Sequence, residues 1–448
     1  MMRLIKMRLM ILIAGMLSLP LIAQKAFTVA EAQIYALENN LDYQNSSLDI
    51  KIAKKKVWET TATGLPQLNG EFNFNHFMDI AGMPFPNPLT GEMGFVQMGL
   101  ENSVDFGLTA SQLVFNGSYF IGLKAATEYV KMTEKQQELK AADIKENVST
   151  AYYMVLAAQL NLSIVQENLV AMKKLQTETK ALNEEGMTEK LEVDQMDLNV
   201  SNLTASKDMA VQALNNATML LNFHLGLDPK TLLELKDDLE AVMTNIDPNV
   251  AEKAFSATSH IDYQILTTKE KLDLLNWRNE QAKALPTISA FYNNKQTRYG
   301  SDLDFPEMDL YNQQFDKNWI PQQLVGVKVS MPIFTSLQGS ARMSQAKMEL
   351  AKTKNAVVMT EKSLKMQADI AKSDYINAIS SYNNSKGNVD LTKGIYDRTL
   401  IKYKEGMVSS FELNQSKQQQ LQAEGQRIQS IINVLNKKIA LDKAYSNL

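Results

Sequence analysis

Two stretches of the sequence carry one pattern: EGMTEKLEVDQ at residues 185–195 and EGMVSSFELNQ at residues 405–415. Five of the eleven positions are identical, and the second stretch follows the first by 220 residues. In both, a glycine that can adopt the left-handed conformation lies between two long helical patterns. The pattern therefore predicts two helical hairpins, each closed by a tight turn.

Other parts of the chain repeat at the same spacing. Asp42-Tyr43-Gln44 returns as Asp262-Tyr263-Gln264, and Leu65-Pro66 returns as Leu285-Pro286, in both cases after 220 residues. Self-similarity at a fixed offset indicates a duplicated structural unit. We therefore divide the chain that follows the first 23 residues into a first repeat, 24–244, and a second repeat, 245–448.

Each repeat is predicted to contain a helix, two strands joined by a long loop, and two long helices. The strand segments alternate apolar and polar residues, which is typical of strands with two different faces. In the first repeat, the predicted helices are 28–63, 118–185 and 188–224, and the predicted strands are 68–78 and 103–115. In the second repeat, the predicted helices are 248–284, 338–405 and 408–445, and the predicted strands are 286–298 and 322–334. We expect the loops at 79–102 and 300–321 to face the outside.

The long helix of each repeat has a heptad pattern, in which the seam residues are four and three positions apart. In the second repeat the equivalent seam is smaller and more polar, which favours helices packed around a wet interior. Thr188 and Ser409 are predicted N-caps of the helices that follow the two turns. The seam of the first repeat consists of Ile144, Val148, Ala151, Val155, Ala158, Leu162, Val165, Leu169 and Met172.

The first 23 residues have the layout of an export signal. Arg3, Lys6 and Arg8 precede the uncharged stretch Leu9–Ile22, and Ala23 ends a plausible cleavage site. A membrane anchor is the alternative, but this stretch is shorter than the roughly 20 residues that a helical span needs. Because no later segment has 18 uncharged apolar residues, we expect an exported chain without a transmembrane helix.

Composition excludes several classes of function. The 448 residues include no cysteine and only three histidines, His76, His224 and His260, so we expect no thiolate or multi-histidine metal site and no cofactor. The net charge of −4 gives no basic field for nucleic acid. Because the motifs of serine hydrolases, zinc proteases and phosphate-binding loops are also missing, we do not expect an enzyme.

Amphipathic strands in an exported chain favour lipid on one face and water on the other. Four strands are too few to close a barrel, because about eight are needed even for a lumen filled by side chains. Three copies would contribute twelve strands, and the long helices would continue the same cylinder as a conduit. An exported coiled-coil scaffold or adaptor protein without a membrane barrel stays open as an alternative, although it does not account for the strands.

Over nearly the whole exported chain, the sequence resembles the TolC-like outer-membrane efflux family. The resemblance rests on the repeat, the two Leu-Pro pairs, Pro332-Ile333-Phe334 after the last strand, and the segment from Tyr403 to Leu413. It implies a mainly α fold with a small membrane β-barrel part: a homotrimer with a twelve-stranded barrel in outer-membrane lipid and a periplasmic α-barrel tunnel. It also implies an exit duct for drug efflux or type I secretion, served by a periplasmic adaptor (membrane fusion) protein and an inner-membrane pump.

The resemblance also implies roles for residues at the two turns. Gly186, Met187, Gly406 and Met407 fall at tips that resemble the adaptor-contact turns of the family. A purely structural role of the glycines, ending two long helices, is the alternative.

The resemblance implies a gate at the periplasmic entrance. Glu192 and Glu412 fall where relatives often have aspartates, Tyr403 matches a tyrosine of interhelical links, and Gln415 lies one helical turn beyond Glu412. Three ionised copies of Glu412 on a symmetry axis would repel one another and attract cations, so opening would be easier at neutral than at low pH. In the alternative reading, both glutamates are first-turn acids that the helix dipole favours.

Overall fold

The structure is a computed structural model that describes residues 25–86, 91–97, 100–244, 246, 255–300 and 319–446. The predicted signal peptide, 1–23, and most of the predicted loop 300–321 lie outside the described residues. The described part is mainly helical and contains four principal strands, which confirms the predicted fold class.

The first half of the described chain leads from short elements into a long helical hairpin. Its elements are β1 (Lys25–Phe27), α1 (Val29–Asn39), α2 (Leu41–Ala62), β2 (Gln67–His76), β3 (Gly82–Pro86), β4 (Met93–Gln97), β5 (Asn102–Phe115), α3 (Gly117–Glu184) and α4 (Lys190–Leu225).

The second half ends in a hairpin of nearly the same size. Its elements are β6 (Leu233–Leu235), α5 (Leu239–Thr244), a 3₁₀ turn (Ala257–Ser259), α6 (Ile261–Ala282), β7 (Thr287–Gly300), β8 (Ile320–Ser330), α7 (Gln338–Lys404) and α8 (Ser410–Ala444).

The chain forms two compact units, and neither coincides with a predicted repeat. The helical unit combines Lys135–Gln264, Val358–Leu448 and the segment that ends at Leu48, whereas the sheet unit combines Asp49–Glu134 and Ile265–Val357. Each unit therefore draws on both halves of the sequence. The repeat boundaries 24–244 and 245–448 stay a prediction about the sequence, separate from this division in space.

The core of the helical unit is built on the predicted heptad seams. Val148, Ala151 and Val155 of α3 are buried, as are Tyr375 and Ala378 at equivalent positions of α7. They pack in one apolar cluster with residues of α4 and α8, including Leu221, Leu225, Ile431, Val434 and Leu435. The seams therefore pack the four long helices together, and their burial is the main favourable term for this unit.

A short parallel pair of strands fastens the start of the described chain to this core. Strand β1 pairs with β6, and the hydroxyl of Tyr152, which is fully buried, donates to the Asp237 carboxylate at 2.8 Å. The same hydroxyl lies 2.9 Å from the carbonyl oxygen of Phe27 at the end of β1. Asp237 also accepts a hydrogen bond from the Val29 amide at 2.8 Å, so one partly buried carboxylate joins three segments.

The sheet unit contains a four-stranded antiparallel sheet in the order β2-β5-β7-β8. Its two middle strands come from different halves of the sequence, with Phe115 opposite Ile288 after a local irregularity. In the described residues, β2 and β8 each pair on one side only and are the edges of the sheet. Apolar side chains on both edge strands are exposed, among them Leu68, Phe72, Phe74, Leu324, Val325, Val327 and Val329.

The predicted helix 28–63 is interrupted at Asn40. Asn40 has an extended backbone with φ −71° and ψ 126°, and its side-chain oxygen accepts a hydrogen bond from the Asp42 amide at 2.9 Å. Its amide nitrogen donates to the carbonyl of His224 at 3.1 Å. An asparagine that bonds the backbone locally favours a cap over a helix interior, and this explains the break.

Two further segments differ from the predicted elements. The predicted loop 79–102 contains a β-hairpin, because β3 and β4 pair in antiparallel fashion. The predicted helix 248–284 begins at Ile261 in the described residues, after His260 accepts a hydrogen bond from the Asp262 amide at 3.3 Å. Residues 248–254 of that predicted helix lie outside the described residues.

Among the described helices, α3 contains one window of 18 residues that is apolar enough, by length and composition, to cross a membrane. That window is 39% buried inside the structure. Val148, Tyr152 and Val155 of the same helix belong to the apolar core. Core packing therefore accounts for the apolar character of this helix.

We expect Tyr152→Phe to lower the free energy of unfolding by about 1.5–3 kcal/mol, because it removes a buried hydrogen bond to a carboxylate. Chemical denaturation of the detergent-solubilised protein, followed by circular dichroism, measures this loss. Tyr153→Phe is the matched control, since the described structure has no hydrogen bond from the half-buried Tyr153 hydroxyl. Equal stability of the two variants would contradict the assigned role of Tyr152.

Candidate functional site

Both hairpin turns have the same backbone structure. Gly186 and Gly406 have φ values of +75° and +69°, in the left-handed region that favours glycine. The amide of Met187 donates to the carbonyl of Leu182 at 2.8 Å, and the amide of Met407 donates to that of Lys402 at 2.9 Å. With the bonds from the glycine amides to Asn183 and Tyr403, these contacts form a Schellman motif at each turn.

The turns present apolar side chains to solvent. Met187 is 71% exposed and Met407 is 72% exposed, and Leu191 and Phe411 just beyond them are also exposed. A β-carbon built on Gly186 or Gly406 would meet no atom within 4 Å, so backbone conformation and not space favours glycine there.

The helices that follow the two turns begin differently. Ser409 caps α8, because its hydroxyl accepts a hydrogen bond from the Glu412 amide at 3.4 Å. The predicted cap at Thr188 is wrong, since Glu189 occupies the N-cap of α4 without a side-chain hydrogen bond. The Thr188 carbonyl instead accepts a hydrogen bond from the Asn183 side chain at 2.7 Å, which holds Thr188 within the turn.

Two side chains of α4 accept hydrogen bonds from the first residue of α8. The carboxylate of Glu192 accepts a hydrogen bond from the amide of Ser410 at 3.2 Å, and the fully buried Ser410 hydroxyl donates to the side-chain oxygen of Gln195. A carboxylate at a helix N-terminus satisfies a free amide and interacts favourably with the helix dipole. The two hairpins are therefore joined directly at their tips.

Tyr403 of α7 makes a second connection between the hairpins. Its hydroxyl lies 3.3 Å from the hydroxyl of Thr179 on α3, and the two hydroxyls can share a hydrogen bond. Burial raises the pKa of Tyr403; the hydrogen bond with Thr179 opposes this effect, and the negative charge of Glu192 adds to it. The phenol therefore stays protonated at neutral pH and can donate a hydrogen bond.

The predicted gate residues do not all come together in one chain. Glu192 and Tyr403 line the same groove, whereas Glu412 and Gln415 of α8 are exposed. Sequence reasoning missed Thr179 and Ser410, which complete the two connections between the hairpins. The signal was available for Ser410, because it follows the predicted N-cap Ser409 directly.

A groove of about 510 Å³ lies between the two turns. Met187, Glu192, Tyr403 and Val408 contribute to its lining, so it combines apolar walls with a carboxylate and a phenol. Among the described residues, no group of three or more histidine, aspartate or glutamate side chains is placed to hold a metal ion.

Further along α8, Lys417 is only 5% exposed. Its ammonium group lies 4.3 Å from the ring centroid of Tyr396 and donates to Gln420 at 3.1 Å. Burial lowers the pKa of Lys417, while the charges of Glu424 and Asp397 oppose this shift. The sequence analysis did not single out this lysine, because a lysine in a helix is ordinarily a solvated residue.

Comparison with known proteins identifies the class of protein that this chain resembles. Residues 35–226 match the family model described as outer membrane efflux protein. Among solved structures, the fold is similar to CusC, with 17% identity, a TM-score of 0.72, and coverage of 93% of this chain and 92% of that chain. The CmeC outer membrane channel of Campylobacter jejuni gives 17% identity and a TM-score of 0.72, with 93% and 85% covered.

The open state of the MtrE outer membrane channel of Neisseria gonorrhoeae is also similar, with 15% identity, a TM-score of 0.66, and 93% and 88% of the chains covered. No curated protein matches the sequence. The fold is that of the TolC-like outer-membrane channels. The resemblance to the TolC-like outer-membrane efflux family is thereby confirmed, by the family model in the first half of the chain and by the fold over most of it.

We expect Tyr403→Phe to loosen the tips while preserving their packing, because it removes only the hydroxyl. The loss of about 1 kcal/mol corresponds to roughly fivefold faster opening of the tip backbone. Hydrogen–deuterium exchange of the amides near both turns measures this change. Tyr382→Phe in the same helix is the control, and equal exchange in both variants would argue against the Tyr403 connection.

The raised pKa of Tyr403 also predicts a pH dependence. The folded chain holds this proton more tightly than the unfolded chain, so the stabilisation is complete below the ordinary tyrosine pKa and is lost as pH rises through the raised value. Tip exchange in the native protein should therefore accelerate in strong alkali more than in Tyr403→Phe. Parallel pH profiles of the two proteins would exclude this contribution.

Proposed function

We propose that the chain is the outer-membrane channel of a tripartite efflux or type I secretion system. As the exit duct, it conducts substrates passively from a periplasmic pump and adaptor to the exterior and catalyses no reaction. The observation that carries this proposal is the antiparallel sheet with two open edges and exposed apolar side chains, on a chain that has the efflux-channel fold.

The open edges support a homotrimer. Strands β2 and β8 each carry a row of backbone groups that pairs on one side only in the described chain. Such edges favour pairing with another strand, and within lipid every backbone polar group must be paired. Three sheets joined edge to edge would give twelve strands in a closed ring, with β8 of one subunit beside β2 of the next.

Exposed apolar residues of the sheet support contact with outer-membrane lipid. Phe72 and Phe74 of β2, and Val325, Val327 and Val329 of β8, alternate along their strands and remain exposed in the single chain. In water such a surface would be unfavourable, whereas a lipid-facing strand requires it. We place the sheet in the outer membrane and the long helices in the periplasm as a tunnel.

The hairpin turns are proposed to bind the periplasmic adaptor, which links the channel to an inner-membrane pump. Gly186 and Gly406 set the shape of the turns, and Met187 and Met407 supply exposed apolar contacts. Methionine adapts to partner surfaces because its side chain is unbranched and polarizable. The groove between the turns provides a recess beside Met187.

The same tips are proposed to form the periplasmic entrance gate. Glu192 and Tyr403 support this role because each contacts the other hairpin, Glu192 at Ser410 and Tyr403 at Thr179, and separating the hairpins requires these contacts to break. Glu412 and Gln415 remain exposed on α8 and available to other chains.

The assembly can be tested by the mass of the protein extracted in mild detergent from isolated outer membranes. We expect a complex of three chains with an N-terminus at Gln24, and discrete ion conductance after reconstitution in a planar bilayer. A monomer or dimer in the soluble periplasmic fraction would contradict the channel and would favour the coiled-coil scaffold.

Adaptor contact can be tested by thiol cross-linking, because the chain contains no cysteine. We expect Met187→Cys and Met407→Cys to form cross-links with the adaptor in cells. Met209→Cys is the matched control, since Met209 is 66% exposed on α4 but lies far along the helix from the turn. Equal cross-linking at Met209 would show that the tips are not the contact.

A further inference from the structure

The two hairpins are equivalent in detail as well as in outline. Three backbone hydrogen bonds at the first turn, donated by residues 185, 186 and 187, recur at residues 405, 406 and 407. Helix α4 begins at Lys190 and α8 at Ser410, which are again 220 positions apart. Each residue at one tip therefore has a definite counterpart at the other.

Because the two hairpins are equivalent, the contact between them has a counterpart that a single chain does not make. Inside the chain, Glu192 and Gln195 bind the first residue of α8, Ser410. The counterparts of the two acceptors are Glu412 and Gln415, and the counterpart of Ser410 is Lys190. Glu412 and Gln415 are exposed, so the second version of this contact is not made within one chain.

Lys190 is available to complete that second contact. Its side chain is 70% exposed and pairs with Asp194 at 2.9 Å, one turn along the same helix. A pair of this kind on an exposed helix face contributes little to stability, so Lys190 can exchange it for a better partner. Lys190 also marks the N-terminus of a long helix, where a carboxylate is favoured.

We propose that Glu412, assisted by Gln415, binds Lys190 of the partner subunit at the first turn of that subunit's α4. This inference rests on the proposed function, because it requires a closed ring of three subunits. In such a ring, the first and second hairpins of the three chains alternate, which gives six hairpins in all. The first hairpin of each chain contacts the second hairpin of the same chain. The second hairpin contacts the first hairpin of the next chain in the same way. We call each interface between neighbouring hairpins a seam, which is distinct from the heptad seams of the single helices. The seam between subunits then repeats the seam within each subunit.

The two seams differ in chemistry. Within the chain, the residue that Glu192 and Gln195 bind is a neutral serine, and Tyr403 adds a phenol. Between subunits, the serine is replaced by Lys190 and the tyrosine by its shorter counterpart Asn183. The seam between subunits therefore depends on an exposed ion pair, which salt screens. It is the weaker of the two seams and the one that separates first.

This assignment places Glu412 between subunits and not among three copies on the symmetry axis. The two arrangements predict different cross-links. A short thiol-specific cross-linker added to Glu412→Cys alone joins subunits only if the three copies meet at the axis. The double variant Lys190→Cys with Glu412→Cys joins them at the seam, and the cysteine-free background leaves no other thiol.

We expect the double variant to yield covalent dimers and trimers on denaturing gels, and each single variant to remain monomeric. Glu192→Cys with Ser410→Cys is the matched control, because those positions meet within one chain and should yield no covalent oligomer. Dimers from Glu412→Cys alone, or no oligomers from the double variant, would overturn the proposal.

Conductance supplies a second readout. Glu412→Lys should increase the open probability of the reconstituted channel severalfold, because it places like charges at each seam between subunits. Adding Lys190→Glu restores opposite charges, so the double exchange should return the channel to its original behaviour. Lack of rescue would overturn the pairing, whereas a protein that forms no trimer in detergent would refute the proposed function itself.

Discussion

A β-strand inside a lipid bilayer must have a partner on each side, because no water is present to bind its backbone groups. The four-stranded sheet meets this requirement for β5 and β7, and under the proposed function the edge strands β2 and β8 meet it by pairing with other chains. This single constraint explains why exposed apolar residues on the edge strands are compatible with a stable protein. Under the proposed function, the channel is an assembly of three chains, and each chain contributes a third of its wall.

Repetition within the chain reduces the number of different contacts that the assembly needs. Two hairpins with the same turn geometry can pack side by side through equivalent contacts, whether the neighbour belongs to the same chain or to the next. Small departures from the repeat, such as Tyr403 against Asn183 and Ser410 against Lys190, then decide which neighbouring pair is held more tightly.

The sequence predicted the features that depend on periodicity. The heptad seams, the four strands and the glycine turns follow from regular spacing, and six of the nine residues of the first seam are buried. Features that depend on one side chain were harder to predict. Asn40 divides a helix through local hydrogen bonds, and Glu189 displaces Thr188 from the N-cap because the Thr188 carbonyl is held by Asn183. The contacts of Ser410 and Tyr403 join positions far apart in the sequence, which no local pattern records.

The burial of Lys417 against Tyr396 makes the reactivity of this lysine a measure of how often the helices around it separate. Reagents that acylate amines modify lysines at a protein surface within moments of mixing, whereas a lysine that is 5% exposed reacts only while its surroundings part. The rate at which the reagent modifies Lys417 therefore reports how often the helices around it separate, and the measurement needs no substitution in the protein.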